Sequence, residues 1–147
     1  MSQTVTVSRH VRCPVDEASA FVTDPHKLLS NMSTLSRCRF IESTETGELW
    51  DVYVDSGTVH LGGRVLVTPP TDFQASRLHW ESVRGTRHSF DARVEPDGDG
   101  TRLTLALKFS VTGYAIAWIS ELIGRGLVGR NLEAIAEEIR HQLEFER

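Results

Sequence analysis

The stretch VTVSRHVRCPVDEASAFVTDPHKL, residues 5–28, carries the densest structural signals in the chain. Residues 4–12 alternate between apolar and polar side chains, which predicts a half-buried strand. A proline ends that strand, and residues 16–22 predict a short helix with acidic residues in its first turn, where the helix dipole favours them. Asp24 precedes a proline and is the expected N-cap of a second short helix. The chain therefore opens with one strand and two short helices.

From Leu35 to Thr112 the hydrophobic period is mostly two, interrupted by turn residues. The predicted strands are 36–44, 49–55, 58–68, 77–83, 86–95 and 101–112. Short turns between consecutive strands predict an antiparallel meander. Gly62-Gly63 interrupts the third of these strands, where we expect a bulge or a sharp bend.

After Gly113 the period becomes helical, with charged side chains opposite an aliphatic stripe that includes Ile123 and Leu127. A continuous helix to about Phe145 would contain about 31 residues and extend about 46 Å. Three glycines within residues 124–129 each cost about 1 kcal/mol relative to alanine, so we expect a kink or loose turn there.

Composition limits the classes of function. A chain of 147 residues that is 39% hydrophobic and 24% charged indicates one globular domain, residues 1–147. Its net charge of −4 argues against general nucleic-acid binding. Cys13 and Cys38 are too few for a disulfide framework and lack metal-ligand spacing. No apolar stretch approaches the roughly 20 residues that span a bilayer, and no export signal is visible, so we expect a cytoplasmic protein without an integral membrane segment.

Seven antiparallel strands make a sheet about 30 Å wide, and native twist curls a sheet of that width. One long helix covers only a stripe of the concave face. Only 7% of the residues are aromatic, and many inward candidates are valine, leucine, alanine, glycine or serine, so an internal pocket is favoured over a solid core. Such a pocket would be mainly apolar with a few polar groups.

The order and spacing of these elements resemble the START-like (SRPBCC) superfamily, which has a helix-grip fold and includes polyketide cyclases/dehydrases, lipid-transfer domains and plant hydrophobic-ligand carriers. Residues 5–28, the run of strands, and Gly113-Tyr114 with the following helix carry the resemblance. It implies an α+β fold in which a seven-stranded curved antiparallel sheet and two short helices accompany one long C-terminal helix across the concave face. It also implies a lipid, quinone or polyketide-like ligand between that helix and the sheet, held by a carrier or an enzyme.

His88 and Phe90 share a strand parity that should point inward. A histidine there can orient a phenol or enol or act as a catalytic acid/base, or it can be a buried residue bonded to a neighbour. Trp80 lies at an inward position of the preceding strand, where it either stacks on a flat ligand or packs the core. Ile123 and Leu127 can serve as core, as ligand wall, or as both.

Four further polar residues are candidates for ligand binding. Arg9 shares the parity of inward valines, so it either anchors an acidic ligand group or forms a salt bridge within the protein. Tyr53 is a candidate for the pocket mouth, and His60 lies beside the glycine pair, which leaves the side it faces open. Asn131 lies near the inner stripe of the helix, where its amide either bonds a ligand or caps the glycine-rich turn.

The sequence contains no G-x-S-x-G, H-E-x-x-H, C-x-x-C, Walker or G-x-G-x-x-G motif. We therefore predict no metal and no cofactor. The leading hypothesis is a binding protein for a hydrophobic small molecule. The second is an aromatase/cyclase or dehydratase with His88 as acid/base, and the third is a regulatory or interaction module with a vestigial pocket. Assembly as a homodimer stays open.

Overall fold

The computed structural model describes residues 2–56, 59–68, 70, 76–110, 117, 120–121, 123–124 and 126–146, without the side chains of 55, 56, 59 and 60. In chain order the elements are β1 (Ser2–Val11), α1 (Val15–Val22), α2 (Pro25–Ser30), β2 (Arg37–Ser43), β3 (Glu48–Ser56), β4 (Val59–Thr68), β5 (Arg77–Gly85), β6 (His88–Asp97), β7 (Gly100–Ser110) and α3 (Leu127–Phe145). The predicted order of strands and helices is confirmed.

The seven strands form one antiparallel, curved sheet in the order β1-β7-β6-β5-β4-β3-β2. Strands β2 to β7 follow one another as a meander, and β1 adds to the outer side of β7. In β7 the side chains of Leu103 and Leu105 are fully buried, while that of the preceding Arg102 is exposed. Apolar alternation therefore fixes which face of the sheet carries the core.

The backbone bends at Gly62-Gly63, as the sequence predicts. The φ angles are +129° and +153°. A Cβ atom at Gly62 would lie 2.1 Å from the Val52 carbonyl oxygen, and one at Gly63 would lie 2.0 Å from the Arg84 carbonyl oxygen. The pairing of β4 with β5 shifts register just after this point, between residues 64 and 65. Only glycine permits both the backbone angles and the close approach of β3 and β5.

The two short helices begin where the sequence predicts. Asp16 and Glu17 occupy the first turn of α1. The Asp24 carboxylate accepts hydrogen bonds from the backbone N–H groups of His26, at 3.0 Å, and Lys27, at 3.3 Å. Pro25 is the first residue of α2 and needs no such partner.

Helix α3 begins after Gly126, which has φ +75° and ψ 8°. The Gly126 N–H donates to the Ile123 carbonyl at 2.9 Å, and the Gly126 carbonyl accepts from Arg130 N–H at 2.9 Å. The expected interruption within residues 124–129 thus falls at Gly126, and the continuous part of the helix described here is 19 residues long.

Helix α3 is held to the rest of the protein by an apolar face and by three carboxylates. Leu132, Ile139 and Leu143 are buried in the same cluster as the inward side chains of the strands. On its flanks, Glu144 accepts from the Arg12 backbone N–H at 2.9 Å, and Glu138 accepts from the Ser33 N–H at 3.0 Å. Glu137 pairs with Arg9. These contacts fix the C-terminal part of the helix across the sheet.

Both cysteines are free thiols. Cys13 is buried, and Cys38 is half-buried on the edge strand β2, where burial raises the pKa of its thiol to about 11. In the part of the chain that the structure describes, no helix is both long and apolar enough to cross a bilayer.

Candidate functional site

A small cavity lies between α3 and strands β3 to β7, closed on one side by the α2–β2 connection. Its volume is about 80 Å³. Pockets that bury drug-sized ligands typically measure roughly 300–1,000 Å³, so this space admits such a ligand only if its walls move apart. The described lining is aliphatic or aromatic except for Tyr53, His88, Asn131 and the indole N–H of Trp80.

Trp80 and Phe90 form the flat wall of the cavity. They are directly opposite each other on β5 and β6, and their rings stack with centroids 4.3 Å apart and planes 25° from parallel. Both side chains are buried, with 4% and 2% of their surface exposed. Strand register therefore builds an aromatic surface against which a planar or aliphatic ligand can pack.

His88 lies beside this wall, and both of its ring nitrogens already have partners. Its Nδ1 is 2.7 Å from the Thr86 carbonyl oxygen, which only accepts, so Nδ1 carries the proton. Its Nε2 is 3.1 Å from Trp80 Nε1, and because the indole N–H only donates, Nε2 is the acceptor. Burial lowers the pKa of His88, although the Thr86 carbonyl partly opposes this effect. The ring is therefore held as one neutral tautomer.

Asn131 presents an amide to the cavity from α3. It is half-buried, and among the described residues no group donates to or accepts from its side chain. Within the described part of residues 124–129, the amide makes no capping hydrogen bond. Its amide is open to a hydrogen bond from a ligand, whereas His88 and Trp80 satisfy each other.

Tyr53 lies at the border between the cavity and solvent. It lines the cavity together with Val52 and Val54. Its ring is also covered by the exposed Arg37, whose guanidinium carbon is 5.4 Å from the ring centroid. That Tyr53 stands over the mouth of a ligand pocket stays a prediction.

Arg9, Ile123 and Leu127 are not among the described residues that line the cavity. Arg9 Nε is 3.0 Å from Glu137 Oε1, and about a third of the arginine side chain is exposed. Of the two roles considered for Arg9, the structure contains the salt bridge within the protein. Ile123 and Leu127 pack with Val128 in a smaller apolar cluster next to the cavity. The side chain of His60 lies outside the described part of the chain.

Sequence reasoning missed several lining residues. Met32 and Leu35 come from the α2–β2 connection, which has no period that could assign a face. Phe109 has the inward parity of its strand, so the alternation pattern contained the information to find it, whereas Leu61 lies next to the glycine pair, where alternation assigns no face.

The chain is similar to known proteins in sequence pattern and in fold. Residues 2–144 match the family model described as polyketide cyclase / dehydrase and lipid transport. No curated protein matches the chain by sequence.

Solved structures share the fold at low identity. A protein from Thermus thermophilus has a TM-score of 0.77 at 15% identity, with 96% of this chain and 97% of that chain covered. The Zhui aromatase/cyclase from a Streptomyces species has a TM-score of 0.70 at 13% identity, covering 99% and 98%. Ginseng major latex-like protein 151 from Panax ginseng has a TM-score of 0.64 at 10% identity, covering 97% of each chain. At these identities the likeness shows the fold alone.

Proposed function

The chain belongs to the polyketide cyclase/dehydrase and lipid transport family, and on that premise we propose that it binds a hydrophobic small molecule between α3 and the sheet. The proposal covers three classes of ligand: lipids, quinones and polyketide-like aromatic compounds. We further propose that the protein acts in the cytoplasm and has no nucleic-acid partner. The observation that carries it is the almost wholly apolar lining around the stacked Trp80 and Phe90.

The energetics favour an apolar occupant. Removing apolar ligand surface from water contributes about 25 cal/mol per Å², whereas a charged group placed here would lose its hydration without a partner. The cavity of about 80 Å³ also limits the ligand. Slender or flat molecules enter with the least displacement of the walls, and bulkier ones require the helix and sheet to separate locally.

The second candidate is an aromatase/cyclase or dehydratase. It rests on His88 in the lining and on the activity named for one structural neighbour. A general acid or base must exchange a proton with its substrate. Because Nε2 of His88 accepts from Trp80 and Nδ1 donates to Thr86, the ring would have to give up one of these bonds first. This arrangement favours binding over His88-dependent catalysis.

A substitution that fills the cavity tests the binding proposal. Leu61 lines the cavity, whereas Leu66 on the same strand does not. We expect Leu61→Phe to weaken the binding of 1-octanol at least about fivefold in calorimetric titrations, because the larger ring occupies space in a tightly packed interior. Leu66→Phe is the matched control and should change the affinity less than about twofold.

Two results would count against the proposal. If wild-type protein binds no 1-octanol, and native mass spectrometry of the freshly purified protein reveals no bound small molecule, the cavity is vestigial and the third hypothesis replaces the first. Equal weakening by Leu61→Phe and Leu66→Phe would place binding elsewhere.

The enzyme alternative has its own test. General acid–base catalysis contributes roughly 10²–10⁴-fold to a rate. A decrease of that size in the cyclisation of a poly-β-ketone by His88→Ala, with ligand affinity retained, would establish the catalytic role. Full turnover by the variant would remove it.

A further inference from the structure

The side of α3 that lines the cavity contains one polar residue. Its lining residues are Val128, Asn131, Leu132 and Ile135. They lie three, four and seven positions after Val128, a spacing that places all four on one side of a helix. The three aliphatic side chains are buried, and that of Asn131 is half-buried. An amide therefore occupies a position at which the amphipathic pattern predicts an aliphatic side chain.

Other polar side chains of α3 have partners within the protein. Glu137 Oε1 is 3.0 Å from Arg9 Nε, and Glu138 accepts from a backbone N–H at 3.0 Å. Neither glutamate lines the cavity. The Asn131 side chain has no such partner in the part of the chain that the structure describes. An amide on an apolar wall costs free energy when it has no hydrogen bond, and a ligand oxygen would remove that cost.

The charge of the lining limits the polar group that a ligand can bring. No lysine, arginine, aspartate or glutamate is among the described residues around the cavity. The imidazole of His88 is neutral and accepts from the Trp80 indole N–H. An ionised ligand group would therefore lose its hydration without meeting an opposite charge. A neutral hydroxyl or carbonyl oxygen loses less hydration and can bond to an amide, so the lining favours uncharged ligands.

The amide and the aromatic wall belong to opposite sides of the same cavity. Asn131 lies on α3, whereas Trp80 and Phe90 stack on the sheet. Both sides line a space of about 80 Å³, so one small ligand can contact them together. The amide donates through Nδ2 and accepts through Oδ1, so it can bond to a carbonyl oxygen or to a hydroxyl group. The stacked rings offer a flat apolar surface to the rest of the ligand.

We propose that Asn131 binds the oxygen of a flat, uncharged ligand, a phenol, ketone or quinone, whose ring system packs against Trp80 and Phe90. This inference rests on the proposed function and narrows the class of ligand for the same cavity. Asn131 is then a specificity-determining residue. It favours one neutral oxygen function on an apolar body, and the uncharged lining disfavours ionised amphiphiles such as fatty-acid carboxylates.

Three probes with one ring system test the inference by equilibrium dialysis at pH 7. Naphthalene has no polar group, 2-naphthol has a neutral hydroxyl, and 2-naphthoate has an ionised carboxylate. We expect the wild type to bind 2-naphthol more tightly than 2-naphthoate. Asn131→Leu removes the amide and keeps a branched side chain. It should weaken 2-naphthol binding about fivefold, since one neutral hydrogen bond contributes about that factor, and change naphthalene binding less than about twofold.

Two further variants serve as controls, and thermal unfolding checks that every variant folds. Gln142→Leu removes another amide of α3, one that does not line the cavity, and should bind all three probes like the wild type. Leu61→Phe fills the cavity and should weaken the binding of naphthalene and of 2-naphthol alike. If Leu61→Phe weakens neither probe, the probes bind elsewhere and the inference fails.

The outcomes distinguish this inference from the function on which it rests. If Asn131→Leu weakens neither probe, or weakens naphthalene and 2-naphthol equally, the hydrogen bond is overturned while the cavity proposal stands. Binding of 2-naphthoate as tight as that of 2-naphthol would overturn the restriction to uncharged ligands. A fivefold loss of 2-naphthol affinity in Tyr53→Phe, with none in Asn131→Leu, would assign the bond to the tyrosine hydroxyl and overturn the inference. If the wild type binds 1-octanol but no naphthalene probe, the inference alone fails, and if it binds none of the four compounds, both fail.

Discussion

The hydrogen bond between Trp80 and His88 should behave as an energetically coupled pair. Trp80 Nε1 is 3.1 Å from His88 Nε2; the Trp80 side chain is buried and that of His88 is half-buried. In His88→Phe the indole N–H loses its acceptor in an apolar environment. An unsatisfied buried donor costs about 1–3 kcal/mol, and the loss of the bond to the Thr86 carbonyl adds about 1 kcal/mol. We therefore expect His88→Phe to lower the free energy of unfolding by about 2–4 kcal/mol.

A double-mutant cycle isolates the bond itself. Trp80→Phe alone removes the donor and part of the ring, and we expect it to cost about 2–3 kcal/mol. In the double variant no indole N–H remains to be unsatisfied, so its cost should be smaller than the sum of the single costs by about 1–2 kcal/mol.

Urea denaturation followed by far-ultraviolet circular dichroism at pH 8 measures all four proteins, because this signal reports mainly the backbone secondary structure. Additivity of the two substitutions within about 0.3 kcal/mol would refute the assigned bond. It would also reopen His88 as a free acid or base in the cavity.

Two further predictions concern protonation and backbone geometry. Burial lowers the pKa of His88 in the folded protein, so the unfolded chain binds this proton more readily than the folded one. The stability that depends on this difference in pKa is present above the unfolded pKa of about 6.5 and is lost as the pH falls below it. The urea midpoint should therefore fall more from pH 7.5 to pH 5.5 in the wild type than in His88→Phe. Equal decreases in the two proteins would contradict this prediction. Gly63→Ala should cost about 3 kcal/mol or more, because its Cβ would lie 2.0 Å from the Arg84 carbonyl oxygen. Gly98→Ala, with φ +63° and open space around the added atom, should cost only about 1–2 kcal/mol, and similar losses in the two variants would contradict the close approach of the strands.

Local signals in the sequence were sufficient for most of the fold. Alternation in β7, the Asp24 cap of α2 and the glycine pair in β4 each act over a few residues, and each appears in the structure where the pattern predicts it. Parity alone also placed Trp80 and Phe90 on the inward face of their strands.

The chemistry of the site depends on contacts that no local pattern contains. The Trp80–His88 bond needs the register between β5 and β6, and the Arg9–Glu137 pair joins residues 128 positions apart. Parity placed Arg9 toward the interior, but only the position of α3 supplied its partner. The end of the β5–β6 pairing at Glu81 and Ser89 was invisible for the same reason, because it depends on how each strand pairs with its other neighbour.

The most direct test of ligand binding between α3 and the sheet is to locate a bound apolar probe inside the protein. Intermolecular nuclear Overhauser effects between 1-octanol and isotope-labelled protein should connect the probe to the Trp80 indole and to the side chains of Val128 and Ile135. Effects confined to the exposed side chains of Val83 or Phe145, or none at all at saturating probe, would contradict a binding site between α3 and the sheet.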